Sequence, residues 1–71
     1  MQYQEILAVL SYAGDHGHAV RVTTDGAAEV VGVPTSVDDH ITAHEVYLRP
    51  SGAEDTEISI SLSAIRAVYL V

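Results

Sequence analysis

The four histidines of this 71-residue chain are the residues best suited to chemistry, because imidazole and carboxylate groups together can hold a divalent metal ion. His16 and His18 flank a glycine, while His40 and His44 lie among acidic residues. Their spacing matches no metal-binding motif, and histidines in polar segments are more often simply solvated. We therefore expect neither a metal site nor any other cofactor.

A nucleophilic mechanism would need a serine or threonine activated by a neighbouring base. Ser59, Ser61 and Ser63 alternate with apolar residues, which places them on the outward face of a strand, where small polar residues are common. We expect a non-catalytic protein rather than an enzyme.

An acidic segment and the strand after it offer a better candidate for binding. Asp38, Asp39 and His40 are predicted in a loop, and Glu45 and Tyr47 are predicted to point outward from the next strand. An exposed tyrosine contributes contact area with little loss of entropy. These five residues are the predicted partner-binding residues.

The net charge of −7, from 3 basic and 10 acidic residues, limits the partners. Such a surface repels nucleic-acid phosphates and anionic membranes but attracts a basic protein. We therefore expect a basic protein partner, and neither nucleic acid nor membrane binding. No apolar run is long enough to span a bilayer, no signal peptide is indicated, and the lack of cysteine favours the cytoplasm.

The length predicts a single domain, residues 1–71, with a small core. That core must be built from Val, Ile, Leu and Ala, because the chain has no Phe or Trp, and no disulfide can reinforce it. The last predicted strand, 67–71, is apolar on both faces and needs cover. A second copy would provide it, so we expect a homo-oligomer, most simply a dimer, with cover by the chain's own helix as the alternative.

The elements that position these residues follow from the hydrophobic periodicity. Apolar residues at three- and four-residue steps predict a helix over about 2–13 that stops at Gly14, with a strand over 6–10 as the rival interpretation. A barrel is predicted over about 19–71. Its strands are a hairpin over 19–37, then 43–49, 57–62 and 67–71, with a single 3₁₀ turn at 63–66.

Three local signals refine the first hairpin. Asp25-Gly26 predicts a tight turn in which Gly26 takes the positive φ. Gly32 predicts a bulge or sharp bend, and Pro34 confines its part of the strand to an edge or a bulge. The alternation also predicts the inward-facing core residues, which are Val20, Val22, Val46, Leu48, Ile58, Ile60 and Leu62.

This pattern resembles the Sm-like and SH3-like small β-barrels, a mainly β class with an N-terminal α-helix and five antiparallel strands. The resemblance is carried by Val20-x-Val22-x-x-Asp25-Gly26, Gly32, Asp38, Val46-x-Leu48 and Ile58-x-Ile60-x-Leu62-x-x-Ile65-x-x-Val68. Within the class the chain looks most like the Rho-binding antiterminators, which are short acidic bacterial proteins. That resemblance implies binding to the RNA-binding region of the termination factor Rho.

Two functions therefore remain open from the sequence. The first is a small acidic regulator that binds a basic protein. The alternative is an Sm-like oligomer with a pocket for RNA or a small ligand, and a metal-dependent activity is the weakest hypothesis. Salt dependence separates the first two, because contacts between acidic and basic proteins weaken as salt is added.

Overall fold

The computed structural model describes all residues, 1–71, as one helix followed by five strands. The elements are α1 (Tyr3–His16), β1 (Val20–Thr24), β2 (Glu29–Asp38), β3 (Glu45–Pro50), β4 (Ile58–Ser61), a 3₁₀ turn (Leu62–Ala64) and β5 (Ile65–Leu70). The strands form one antiparallel sheet in the order β4-β3-β2-β1-β5. The predicted architecture of a helix and five antiparallel strands is confirmed.

Helix α1 buries the apolar stripe that the sequence predicted, with Ile6, Leu10 and Ala13 packed towards β2 and β5. The predicted stop at Gly14 is wrong, because the helix continues to His16 and ends at Gly17. Gly17 has φ +62°, the left-handed conformation that terminates helices. Gly14 lies inside the helix beside β2, where a Cβ would be at an ordinary contact distance of 3.5 Å from the carbonyl oxygen of Pro34.

The turn between β1 and β2 also differs from the prediction. The left-handed residue is Ala27, with φ +60°, and Gly26 has no positive φ. Ala27 donates its N–H to the carbonyl of Thr24 at 3.0 Å, and Thr24 donates its N–H to the carbonyl of Ala28 at 3.0 Å. The loop therefore holds three residues rather than two, which moves the left-handed position one residue beyond the glycine.

Replacing Ala27 by glycine should stabilise the protein by about 1 kcal/mol, because a side chain in the left-handed region costs about 1–2 kcal/mol that glycine avoids. Urea unfolding of Ala27→Gly measures the gain. The double variant Ala27→Gly/Gly26→Ala is a matched control, and it should be at least as stable as Ala27→Gly. A loss of stability in Ala27→Gly would show that the turn is of another type.

Strand β2 has one bulge and one glycine that a neighbouring strand approaches closely. Its pairing with β3 shifts register between Pro34 and Ser36, so that Thr35 is bulged beside the proline, in agreement with the expectation for Pro34. Gly32 does not form the bulge but pairs with both Val20 and Pro50, and a Cβ there would collide with the carbonyl oxygen of Arg49. Glycine is therefore required for the close approach of two backbones.

The core contains ten buried apolar residues: Ile6, Leu10, Ala13, Val20, Val22, Val46, Leu48, Leu62, Ile65 and Val68. Five of the seven predicted core residues are among them. Ile58 and Ile60 point inward but are only half-buried against this cluster, because β4 is short and lies at the edge of the sheet. No polar or charged residue is buried, so apolar packing alone holds the interior together.

Strand β5 is covered on one face only. The chain's own helix packs on β5 and helps to bury Ile65 and Val68, which is the cover that we considered as an alternative to a second copy. Tyr69, Leu70 and Val71 nevertheless remain 55%, 48% and 60% exposed. None of the structure's helices combines the length and the apolar character that crossing a membrane requires.

Candidate protein-binding surface

The outward face of β2, β3 and β4 brings most of the predicted binding residues together. The register aligns Ser36, Tyr47 and Ser59 in one row across the three strands. It aligns Asp38 and Glu45 with Ser61 in the next row. Alternation along each strand sends the intervening residues, such as Val46, into the core.

Tyr47 is the centre of this surface. Its hydroxyl donates a short hydrogen bond to Oε1 of Glu45. That bond raises the pKa of Tyr47 above its ordinary value of 10.0, and the negative charges of Glu45, Asp38 and Glu57 and a slight loss of solvent add to the effect. Three carboxylates thus act on one hydroxyl, which stays protonated at neutral pH. We name Asp38, Glu45, Tyr47 and Glu57 the acidic strip.

Glu57 was not among the predicted binding residues. The hydroxyl of the bulged Thr35 donates to Oε2 of Glu57 at 2.8 Å and lies 3.2 Å from the carbonyl oxygen of Tyr47. The bulge therefore holds this carboxylate beside the strip. The alternation of Glu57 with Ser59 was the available signal, because it placed Glu57 on the same outward face as Tyr47.

Asp38 and His40 form the one ion pair of the structure, with 2.6 Å between Oδ1 and Nδ1. The backbone N–H of His40 also donates to Asp38 at 3.1 Å. The hydrogen bond from the imidazole, followed by that from the backbone N–H, lowers the pKa of Asp38 below its ordinary value. The same side-chain hydrogen bond and the negative charge of Asp38 raise the pKa of His40 above its ordinary value of 6.5.

The contribution of the Asp38–His40 ion pair to stability should depend on pH. Its stabilising effect is full only between the ordinary pKa of aspartate, 3.8, and the ordinary pKa of histidine, 6.5. It is lost as the pH falls from 3.8 through the lowered pKa of Asp38, and it is also lost as the pH rises from 6.5 through the raised pKa of His40. In an NMR titration, the pKa of His40 should lie above its ordinary value of 6.5, Asp38→Asn should lower that pKa, and Asp25→Asn should leave it unchanged. A pKa of His40 that is insensitive to Asp38→Asn would contradict the pairing.

The remaining predicted residue, Asp39, is exposed and makes no hydrogen bond or ion pair, although its charge also raises the pKa of His40. Ile41, two residues further, is 99% exposed in the loop between β2 and β3. The structure thus links Asp38 to His40 and Glu45 to Tyr47, places both pairs at one end of the β2–β3 hairpin, and leaves Asp39 solvated beside them.

Comparison with known proteins identifies the architecture. No family model matches the chain, and no curated protein does. Among solved structures, the crystal structure of the pleiotropic translational regulator Hfq matches with a TM-score of 0.72 and 19% sequence identity, over 90% of this chain and 86% of that one. This chain has the Sm-like fold. The narrower resemblance to the Rho-binding antiterminators stays a prediction.

The four histidines of this Sm-like chain each contact a different partner. The Nδ1 atoms of His16 and His18 each donate to a backbone carbonyl at 2.8 Å, and His44 stacks on Tyr3 with ring centroids 5.3 Å apart. His40 pairs with Asp38. No three His, Asp or Glu side chains come close enough to hold a metal ion. The hydroxyls of Ser61 and Ser63 lie 2.9 Å from each other.

The acidic residues of the Sm-like barrel have almost no internal counter-charge. The chain has no lysine, and its three basic residues, Arg21, Arg49 and Arg66, form no ion pair with any carboxylate. Every acidic side chain except Asp38 therefore lacks a basic partner within the protein. Glu45 and Glu57 of the acidic strip can therefore accept cationic groups from another molecule without first breaking an internal ion pair, whereas Asp38 is already paired with His40.

Proposed function

We propose that this protein is a non-catalytic regulatory module that binds a basic protein through the acidic strip. The observation that carries the proposal is the clustering of three carboxylates around Tyr47, none of which forms an ion pair with an arginine. The three carboxylates on one face repel one another and make the electrostatic potential there strongly negative. A basic partner would relieve that repulsion. Tyr47 supplies an amphipathic anchor of the kind that is enriched in protein interfaces.

The proposed partner is the transcription termination factor Rho, contacted at its RNA-binding region, and the proposed place of action is the cytoplasm. A surface that binds a polyanion is basic, and such a surface complements the acidic strip. The Sm-like fold, which the translational regulator Hfq also has, supports a regulatory role.

The test compares the binding of purified Rho to two charge-matched triple variants. The strip variant is Asp38→Asn/Glu45→Gln/Glu57→Gln, and the control is Asp25→Asn/Glu54→Gln/Asp55→Asn, which removes three exposed carboxylates from turns. Biolayer interferometry should show about tenfold weaker binding for the strip variant, because three solvent-accessible ion pairs of about 0.5 kcal/mol each sum to a factor of ten. The control should bind almost like the parent.

Added salt should weaken the parent more than the strip variant, because exposed charges are screened beyond about 10 Å at 0.1 M. A strip variant that binds as tightly as the parent would refute the assignment of the surface. If Rho does not bind, the partner is wrong, and capture of basic proteins from a bacterial lysate on the parent and on the strip variant then decides whether the strip binds any protein.

The second candidate function is an Sm-like oligomer that binds RNA, and the likeness to a translational regulator favours it. Labelled oligo(U) and oligo(A) distinguish it from the first candidate. We expect no binding at 0.15 M salt, because ten acidic residues repel the phosphates. If this protein binds RNA more tightly than it binds Rho, the ranking of the two functions is reversed.

We further propose that the protein forms a homodimer. Strands β4 and β5 are the two edges of the sheet, and Tyr69, Leu70 and Val71 extend an exposed apolar patch at the end of β5. Light scattering should give about twice the chain mass of 7.6 kDa, and Leu70→Ser should shift the protein towards the monomer. Ala53→Ser, in a turn, is the control. A parent mass near 7.6 kDa at micromolar concentration would exclude the dimer.

A further inference from the structure

A groove of about 300 Å³ runs between the C-terminal half of α1 and the second half of β2. Its origin is topological. Strand β1 pairs with β2 only as far as Gly32, so no strand covers that side of β2 from Val33 onward. The helix lies there instead, with Gly14 beside the backbone of Pro34, and the bulge at Thr35 comes next along β2.

The lining of the groove combines two kinds of surface. Leu10 and Val37 provide apolar contact. Ser11, Ser36 and Asp15 contribute two hydroxyls and a carboxylate, and the side chain of Asp15 makes no hydrogen bond or ion pair within the protein. All three polar groups can accept hydrogen bonds, and one of them carries a negative charge.

We propose that this groove receives an arginine side chain of the basic partner. The aliphatic stem of arginine packs on apolar surface, while its guanidinium offers five N–H donors in a fixed plane to carboxylate and hydroxyl oxygens. The volume is at the lower limit for small-molecule pockets, which suits a single side chain better than a whole ligand. The inference rests on the proposed function and specifies which group of the partner is recognised.

The groove is continuous with the acidic strip through β2. Thr35 lines the groove, and its hydroxyl also bonds Glu57 of the strip. Ser36, the next lining residue, is the cross-strand neighbour of Tyr47. An extended basic segment can therefore place one arginine in the groove and further cationic residues along the strip.

The experiment uses the full chain and a fluorescein-labelled eight-residue peptide in which arginine alternates with serine, followed by fluorescence anisotropy. Asp15→Asn should weaken binding about fivefold, and Ser11→Leu, which occupies the groove from an exposed helix position, should weaken it further. Asp25→Asn, an equal charge change in the distant β1–β2 turn, is the control and should have little effect. A peptide with citrulline in place of arginine keeps the shape, lacks the charge, and should bind at least tenfold more weakly.

The outcomes separate this inference from the proposed function. Weaker binding in Asp15→Asn and Ser11→Leu, with Asp25→Asn unaffected, supports the groove. Binding that ignores both groove variants but is lost in the strip variant overturns the groove and leaves the proposed function standing. The groove is also overturned if Asp15→Asn and Asp25→Asn weaken binding equally, or if the peptide does not bind. The measurement of Rho binding tests the acidic strip independently of these results. Asp15 is exposed, so its substitution tests the inference even if Ser11→Leu disturbs folding.

Discussion

Leu48→Ala is expected to leave a large fraction of the protein unfolded at room temperature. Leu48 is fully buried on β3, between Pro34 of β2 and Ile58 of β4 in the register of the sheet. Truncating a buried leucine costs about 2–5 kcal/mol, which includes the cavity that remains. Small domains are stable by only about 5 kcal/mol, and this core has no aromatic residue to fill the space.

Urea unfolding followed by circular dichroism measures the loss, and Ile60→Ala is the matched control on the neighbouring strand. Ile60 also points inward but is only half-buried, so its truncation should cost about half as much. Equal losses in the two variants would contradict the difference in burial between the centre and the edge of the sheet.

Gly32→Ala is expected to destabilise the protein by about 3 kcal/mol, although it adds a single methyl group. The new Cβ would collide with the carbonyl oxygen of Arg49, and its next nearest neighbours are also backbone atoms of β3. A clash with backbone cannot be relieved by a change of rotamer, so β2 and β3 must separate locally, at the upper end of the cost of overpacking.

Gly14→Ala is the control for that substitution. Its Cβ would lie at an ordinary 3.5 Å from the carbonyl oxygen of Pro34, in the interior of a helix where alanine is favoured over glycine by about 1 kcal/mol. We expect this variant to be at least as stable as the parent by thermal unfolding. A Gly32→Ala variant that melts at the temperature of the parent would show that the two strands are further apart.

The sequence predicted the parts of the fold that follow from alternation within one strand. Val20, Val22, Val46 and Leu48 are buried as expected, because side-chain direction in a strand has a strict period of two. The glycines were harder to interpret. A sequence shows which residues tolerate a left-handed backbone, but the length of the turn and the packing of the helix decide which residue adopts it.

The candidate surface was likewise predictable only where it follows from alternation within a strand or from a hairpin. The outward positions of Glu45 and Tyr47 followed from alternation, and their closeness to Asp38 followed from the hairpin that joins β2 and β3. The groove beside Asp15 could not be predicted, because it depends on where α1 crosses β2. Gly14 and Pro34 meet at that crossing, but they are far apart in the chain and give no periodic signal together.

The strand order has a consequence for how the chain folds. Strands β1 to β4 are joined by consecutive hairpins, whereas β5 pairs with β1 across nearly the whole barrel sequence, Val20 with Leu70. Local hairpins close with little entropy loss, while the β1–β5 pairing must close a long loop, and it is therefore expected to form late. Until it forms, β1 presents an unpaired edge and the core lacks Ile65 and Val68. Intermolecular strand pairing during refolding should therefore begin at β1 and compete with the docking of β5.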